Sequence, residues 1–344
     1  MTSSWTDLLS RLARGEDLSR AETSAAMTEV LAGEADPVAL GALLMGLSAK
    51  GESDEEILGF ADAMLAASEP LTIPEGSVDI VGTGGSKHRK SHALNVSSMA
   101  SFVAAAAGAT VCKHGNVAAS SSSGSFDFLA AVGVDINPTP TAVEALIAEH
   151  GLAFAWAKTF HPAMRHAGPV RSALGIPTVF NILGPLVHPG RTRRIVLGVA
   201  NQPRAEQMAR ILLSRDMARA WVVAGYDGLD ELSTVGPNRV WDVSGGSIKE
   251  LTVHPEAVGL SLVTYDELAG GDGARNAEIF KRMIFDPGSE PAATGIVALN
   301  AGAALVVAGV ADDLVSAVAK SLAAIDSGRV GELFEDFTQP STTG

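Results

Sequence analysis

Apolar positions in the first seventy residues recur at helical spacing. Trp5, Leu8, Leu9 and Leu12 share one helical face. Ser19 followed by Glu22 predicts a capping box that opens a second helix, and Ser53 with Glu56 predicts another, whose apolar side carries Ile57, Phe60, Ala61 and Met64. Between them, Asp36-Pro37 reads as an N-cap with proline in the first turn, followed by the run Val38 to Leu47. Two prolines between Glu69 and Gly76 mark a linker. Beyond it the pattern changes. Short apolar runs at 78–81, 110–112, 153–157, 195–199 and 220–223 predict strands. Helical patterns at 96–107, 126–132, 142–150 and 203–213 alternate with them. That alternation predicts an α/β unit with a largely parallel sheet. Further helices are expected near 276–283, 293–307 and 314–324.

Composition fits this picture. Apolar residues make up 47% of the 344 but aromatics only 5%, so the core rests mainly on Ala, Val and Leu. The formal net charge of −14 disfavours general nucleic-acid binding, because an acidic surface repels phosphate backbones. Cys112 is the only cysteine, which rules out an intrachain disulfide and suits a reducing cytoplasm. The N-terminal stretch carries charges of both signs and no long apolar run, against a signal peptide. The apolar stretch 292–310 contains Asn300 and many small residues, which fits a buried helix better than a membrane span.

Candidate chemistry sits at predicted strand ends, where open α/β sheets bind ligands. Gly82-Thr83-Gly84-Gly85 follows the first strand, and such glycines let backbone N–H groups converge on an anion. A tight turn with no ligand is the alternative reading. Asn95-Val96-Ser97-Ser98 opens a helix, either as ordinary caps or as a seat for a phosphate or hydrated cation. Lys113-His114-Gly115-Asn116 directly follows the second predicted strand, where polar residues are costly unless they face a cavity. Ser120 to Ser123 and Ser125 form a second candidate cradle. His161, Arg165, His166 and Arg171 gather cations on one segment, as a solvated basic face or as a carboxylate-binding arginine. A metal site on His161 and His166 does not fit their spacing. Asp227, Asp230 and Glu231 lie on one loop, where neighbouring carboxylates repel unless a cation such as Mg²⁺ sits between them.

Taken in order, the motifs GTGG (82–85), NVSS (95–98), KHGN (113–116) with its serine tail, FHPAMRHAGPVR (160–171), PTVFNILGPL (177–186) and DGLDELS (227–233) resemble the anthranilate phosphoribosyltransferase family, as does KGESDEEILGF (50–60). The resemblance spans nearly the whole chain. It implies a nucleoside phosphorylase-like fold of class α/β, with a small all-helical domain and a larger α/β domain around a mostly parallel central sheet. The helical domain is expected over residues 1–72, joined by helices around 162–184, and the α/β domain over 73–161 and 185–344. A homodimer and a place in tryptophan biosynthesis are implied as well.

The resemblance also implies roles. Gly82, Gly85, Ser86, Asn95, Val96, Ser97, Ser98, Lys113, His114, Gly115, Asn116, Ser120, Ser121 and Ser125 are expected to hold phosphoribosyl pyrophosphate. Ser97, Asp230 and Glu231 are expected to contact Mg²⁺. Gly82, His114, Asn116 and Arg171 are expected to line the site of an aromatic amine. No general base is assigned. The chain departs from the family pattern at Ser86, in the longer loop carrying Lys87, His88, Arg89, Lys90 and His92, and at Ala93, Val117 and Ala224. Either the basic loop strengthens pyrophosphate binding and transfer is preserved, or the chain is a paralogue with another acceptor or a binding protein without turnover.

Overall fold

Ser19 and Ser53 each accept a hydrogen bond from the backbone of a glutamate three residues on, and each glutamate bonds back. Both predicted capping boxes are present, and Asp36 caps its helix through two backbone N–H groups. These caps start three of the four N-terminal helices: α1 (Trp5–Ala13), α2 (Arg20–Ala32), α3 (Pro37–Lys50) and α4 (Asp54–Ala66). The computed structural model describes residues 4–86, 94–116 and 124–338. Contacts divide the chain into two compact units. One is Met1–Pro70 with Ala157–Arg191, and the other is Leu71–Trp156 with Thr192–Gly344.

In the helical unit, α2 and α4 pack so closely that a Cβ on Gly59 would collide with Thr23 and with the Arg20 carbonyl. Glu56 is fully buried there. Its carboxylate accepts from the N–H of Leu18 (2.8 Å) and of Ser53 (2.7 Å) and meets the Lys50 ammonium at 2.9 Å. One side chain therefore serves as cap, loop anchor and ion-pair partner, which offsets the cost of burying its charge. A seven-residue helix, α8 (Gly168–Leu174), belongs to the returning segment.

The larger unit is built on one sheet of β1 (Val78–Gly82), β2 (Val111–Gly115), β3 (Leu152–Trp156), β4 (Arg194–Gly198), β5 (Arg219–Ala224), β6 (Asn238–Ser244) and β7 (Ser247–Val253). The spatial order is β3-β2-β1-β4-β5-β6-β7. The pairings from β3 across to β5 are parallel, and β6 and β7 add an antiparallel edge. The sequence pattern does not predict β6 or β7. Their signal is weak because β7 is an edge strand with several exposed residues, although Gly245-Gly246 at positive φ makes the two-residue hairpin turn between them. Strand β2 also runs three residues further than expected, so Lys113, His114 and Gly115 lie inside it and not in a loop after it.

Helices α5 (Val96–Ala106), α6 (Ser125–Val132), α7 (Pro140–His150), α9 (Gln202–Ser214), α10 (Gly273–Phe285), α11 (Pro291–Ala308), α12 (Leu314–Asp326) and α13 (Arg329–Thr338) complete the unit. The last is not predicted from the sequence. It is fixed by Phe334 and Phe337, whose rings lie 5.7 Å from that of Phe102, which also meets Phe154 and Phe280 at 5.4 Å. Five phenylalanines thus meet at one point of the core, where edge-to-face pairs add to area burial. Among the described residues one helix, α11, is long and apolar enough to cross a membrane, and 72% of it is buried inside the unit. Cys112 is wholly buried in β2, and burial pushes its thiol above the ordinary range.

Candidate functional site

Strand order reverses between β1 and β4, which makes the carboxyl ends of these two strands the switch point of the sheet. Gly82 and Gly198 are in register there. A Cβ on Gly82 would strike the Asp230 carboxylate, and one on Gly198 would strike the Asp230 carbonyl. Gly225 makes the same allowance for the carbonyl of Glu231. Gly82 and Gly198 therefore form the notch that lets the loop after β5 cross onto the ends of β1 and β4, and Gly225 lets that loop fold back on itself. In that notch the Gly84 N–H donates to Asp230 Oδ2 at 2.8 Å. Gly84 and Gly85 both have positive φ with nothing near a would-be Cβ, so glycine is needed there for backbone conformation. Asp230 and Glu231 are both buried. The structure thus joins two sequence motifs 146 residues apart into one corner.

Ser86 and Ser98 carry buried hydroxyls with no hydrogen-bond partner among the described residues. A buried hydroxyl left unsatisfied costs about 1–3 kcal/mol. Ser97 is half-buried, and Val96 belongs to the core. Asn95 precedes α5 but makes no side-chain cap. Its Nδ2 donates to the Gly124 carbonyl at 3.1 Å, and its Oδ1 accepts from Asn276 Nδ2 at 2.7 Å. The ordinary capping reading of Asn95 therefore does not hold: its side chain ties the start of α5 to the start of α6. Gly124 N–H in turn donates to Asp127, and Ser125 opens α6.

At the β2 end, Lys113 is buried and donates to the Ile80 carbonyl at 2.6 Å. Asp79 Oδ1 accepts from the His114 N–H at 3.1 Å. Val78 registers with Val111, and further along these two side chains span the strands. Gly115 packs against Phe126 and Ser125. Asn116 accepts from Trp156 Nε1 at 3.0 Å, and the Trp156 ring stacks on Phe126. Ser120, Ser121, the basic stretch 87–92, Ala93 and Val117 lie outside the described residues.

Arg171 belongs to the helical unit, in α8, with its guanidinium 4.8 Å from the Phe180 ring centroid. Burial lowers its pKa, and no acidic side chain pairs with it among the described residues. The cations of that segment do not form one solvated face. His161 is buried, meets the Val187 carbonyl at 2.9 Å through Nε2, and is pushed down to about 4, first by burial and further by neighbouring His188. Arg165 and His166 remain exposed.

Sequence reasoning missed Asp79, Trp156, Asn238, Asn276 and Asn300. Two of them had a readable signal: Asp79 breaks an apolar strand, and Asn300 breaks an apolar helix.

Two family models match the chain. Residues 6–68 match the helical bundle domain of a glycosyl transferase family, and residues 75–330 match its a/b domain. An anthranilate phosphoribosyltransferase of Methylorubrum populi is 45% identical over 320 residues, 93% of this chain and 94% of that protein. One from Saccharopolyspora erythraea is 42% identical over 99% of this chain and 97% of its own length. The crystal structure of the Thermus thermophilus enzyme superposes with a TM-score of 0.88 at 41% identity, covering 96% of this chain and 98% of that one. The Saccharomyces cerevisiae enzyme in complex with PRPP and Mg gives 0.88 at 27% identity, covering 97% and 96%. With both domains matched and the identity sustained along nearly the whole chain, this protein belongs to the anthranilate phosphoribosyltransferase family.

Proposed function

We propose that the protein transfers a phosphoribosyl group from phosphoribosyl pyrophosphate to anthranilate, releasing pyrophosphate, with Mg²⁺ as cofactor. The observation that carries this reading is the corner at the switch point, where the buried pair Asp230 and Glu231 is pinned onto the glycine loop. The orphaned hydroxyls of Ser86 and Ser98 support it. Two carboxylates offer hard oxygens but few of them, and no larger cluster of His, Cys, Asp or Glu forms a metal site among the described residues. That donor set fits Mg²⁺, which keeps several waters and shares its remaining positions with phosphate oxygens. When bound, the ion neutralises negative charge on the departing pyrophosphate.

The chain's own groups do the rest. Backbone N–H groups of Gly85 and Ser86 and of the start of α5 are suited to phosphate oxygens, as are the Ser86, Ser97 and Ser98 hydroxyls. The anomeric C–O bond to pyrophosphate breaks, a C–N bond to the aromatic amine forms, and the nitrogen gives its proton to the released pyrophosphate or to water. An aromatic amine is already nucleophilic, so alignment supplies most of the rate and no side chain is assigned as base. Arg171 suits the acceptor's carboxylate, because a partly desolvated guanidinium without an acidic partner gains most from a bidentate anion.

Anthranilate fluorescence is expected to decay when the protein is mixed with phosphoribosyl pyrophosphate and Mg²⁺. Pyrophosphate release with other amines but not with anthranilate would replace the acceptor, and no release with any amine would leave a binding protein. A homodimer is part of the same reading. Val38, Ala42, Met45 and Ala49 form an exposed apolar stripe along α3, with Val38 79% exposed. Light scattering should give twice the chain mass, and a monomeric mass would refute it. The absence of any possible intrachain disulfide suits a cytoplasmic setting for this chemistry.

A further inference from the structure

The loop that carries Asp230 and Glu231 joins β5 to β6, and its ends are fastened by side-chain amides. Asn238, the first residue of β6, is wholly buried. Its Oδ1 accepts from the N–H of Ser233 at 2.7 Å and of Tyr226 at 3.3 Å, and its Nδ2 donates to the Ser233 carbonyl at 2.9 Å. Asn300 approaches from the middle of α11. Its Oδ1 accepts from the Leu232 N–H at 3.0 Å, and its Nδ2 donates to the Leu232 carbonyl at 2.8 Å and the Ile296 carbonyl at 2.9 Å. The two residues directly after Glu231 thus have both backbone polar groups met by asparagine side chains.

Asparagine alone among uncharged side chains of this length offers a donor and an acceptor in one plane. An amide in the middle of an apolar helix is costly unless both groups are bonded, and here both are. The clamp also has a load to bear. Asp227 at φ 54 is held in a left-handed conformation that most side chains resist. Released from its ends, the loop would relax away from the glycine notch.

We infer that Asn238 and Asn300 are positioning residues for the Asp230–Glu231 pair, two buried amides that hold the carboxylates ready for a divalent cation before it arrives. This rests on the metal reading proposed above, and its test separates the two. Amide hydrogen exchange on the unsubstituted, ligand-free protein should show Leu232 and Ser233 protected like sheet residues. Exchange at open-loop rates overturns the clamp, and because no substitution is involved, a variant that fails to fold does not remove this test. Asn300→Ala and Asn238→Ala should each bind Mn²⁺, titrated with inorganic pyrophosphate present, about tenfold or more weakly than the unsubstituted protein. The Mg²⁺ concentration for half-maximal activity should rise in parallel while KM for anthranilate stays within about twofold. Mn²⁺ uptake by the unsubstituted protein, matched by both variants, overturns the positioning role alone. No Mn²⁺ uptake by the unsubstituted protein overturns the metal reading and the positioning role with it.

Discussion

Asp230 is bonded to Gly84 and abutted by Gly82 and Gly198, and the two residues after its neighbour Glu231 are held by buried asparagines, whereas Arg171 in the helical unit rests on the face of Phe180 with no acidic partner among the described residues. Both are charged groups withdrawn from water, but they are held in different ways. The acidic corner is over-determined: its position is set by folding, and a ligand meets groups already aligned. The arginine rests on an aromatic face, and the role proposed for it is to meet a counterpart brought by the substrate. Disturbing the first should therefore cost turnover, and disturbing the second should mainly change affinity for one substrate.

The contrast can be broken in four places. The largest effect is expected from Asp230→Ala combined with Glu231→Ala. Losing the metal's charge stabilisation should cut Mg²⁺-dependent turnover by about 1000-fold, with the circular dichroism spectrum retained. Activity within tenfold of the unsubstituted protein would remove the corner from the mechanism. Gly198→Ala comes next, since the new methyl group must push the Asp230 carbonyl aside. A displacement of this kind is worth about 100-fold in kcat/KM, and melting should shift down as well. Full activity would mean that the notch tolerates a side chain. Arg171→Ala should raise KM for anthranilate by about 10- to 100-fold, the worth of one charged hydrogen-bonded pair, with a much smaller change for phosphoribosyl pyrophosphate. Equal changes for both substrates would count against a carboxylate role.

The fourth effect concerns stability in acid and leaves turnover at neutral pH unchanged. Burial holds His161 at about 4 when folded, against about 6.5 in the unfolded chain. As pH falls through this window the unfolded chain takes up the proton first. The neutral form's contribution is therefore intact above about 6.5, declines steadily, and is lost by about 4, a difference of up to about 3 kcal/mol. Urea unfolding at neutral and mildly acidic pH should show this slope, and His161→Gln should flatten it. An unchanged slope would place the acid sensitivity elsewhere.

How far the sequence revealed these regions depended on the range of the interactions. Capping boxes, the parallel strands and the glycine loop are local patterns, and Ser19, Ser53 and Gly82-Thr83-Gly84-Gly85 announced them. The pairing of Gly82 with Gly198 and the crossing of Asp230 onto both depend on strand order, which no local window contains. Lys113 was expected in a loop because a buried lysine is costly, yet the Ile80 carbonyl takes its ammonium within the sheet. Asn95 reads from the sequence either as a cap or as a seat for a phosphate or cation, and its partners lie on segments 29 and 181 residues away. In the sequence Asn300 argues only against a membrane span, and its bonds to the acidic loop exist only in the fold.

The single thiol of Cys112 lies sealed in the second strand, with burial holding it protonated. A folded chain should consequently ignore thiol-reactive dyes, and any labelling would count the moments when the sheet itself comes apart. The protein carries, without engineering, a one-site clock for the opening of its catalytic platform.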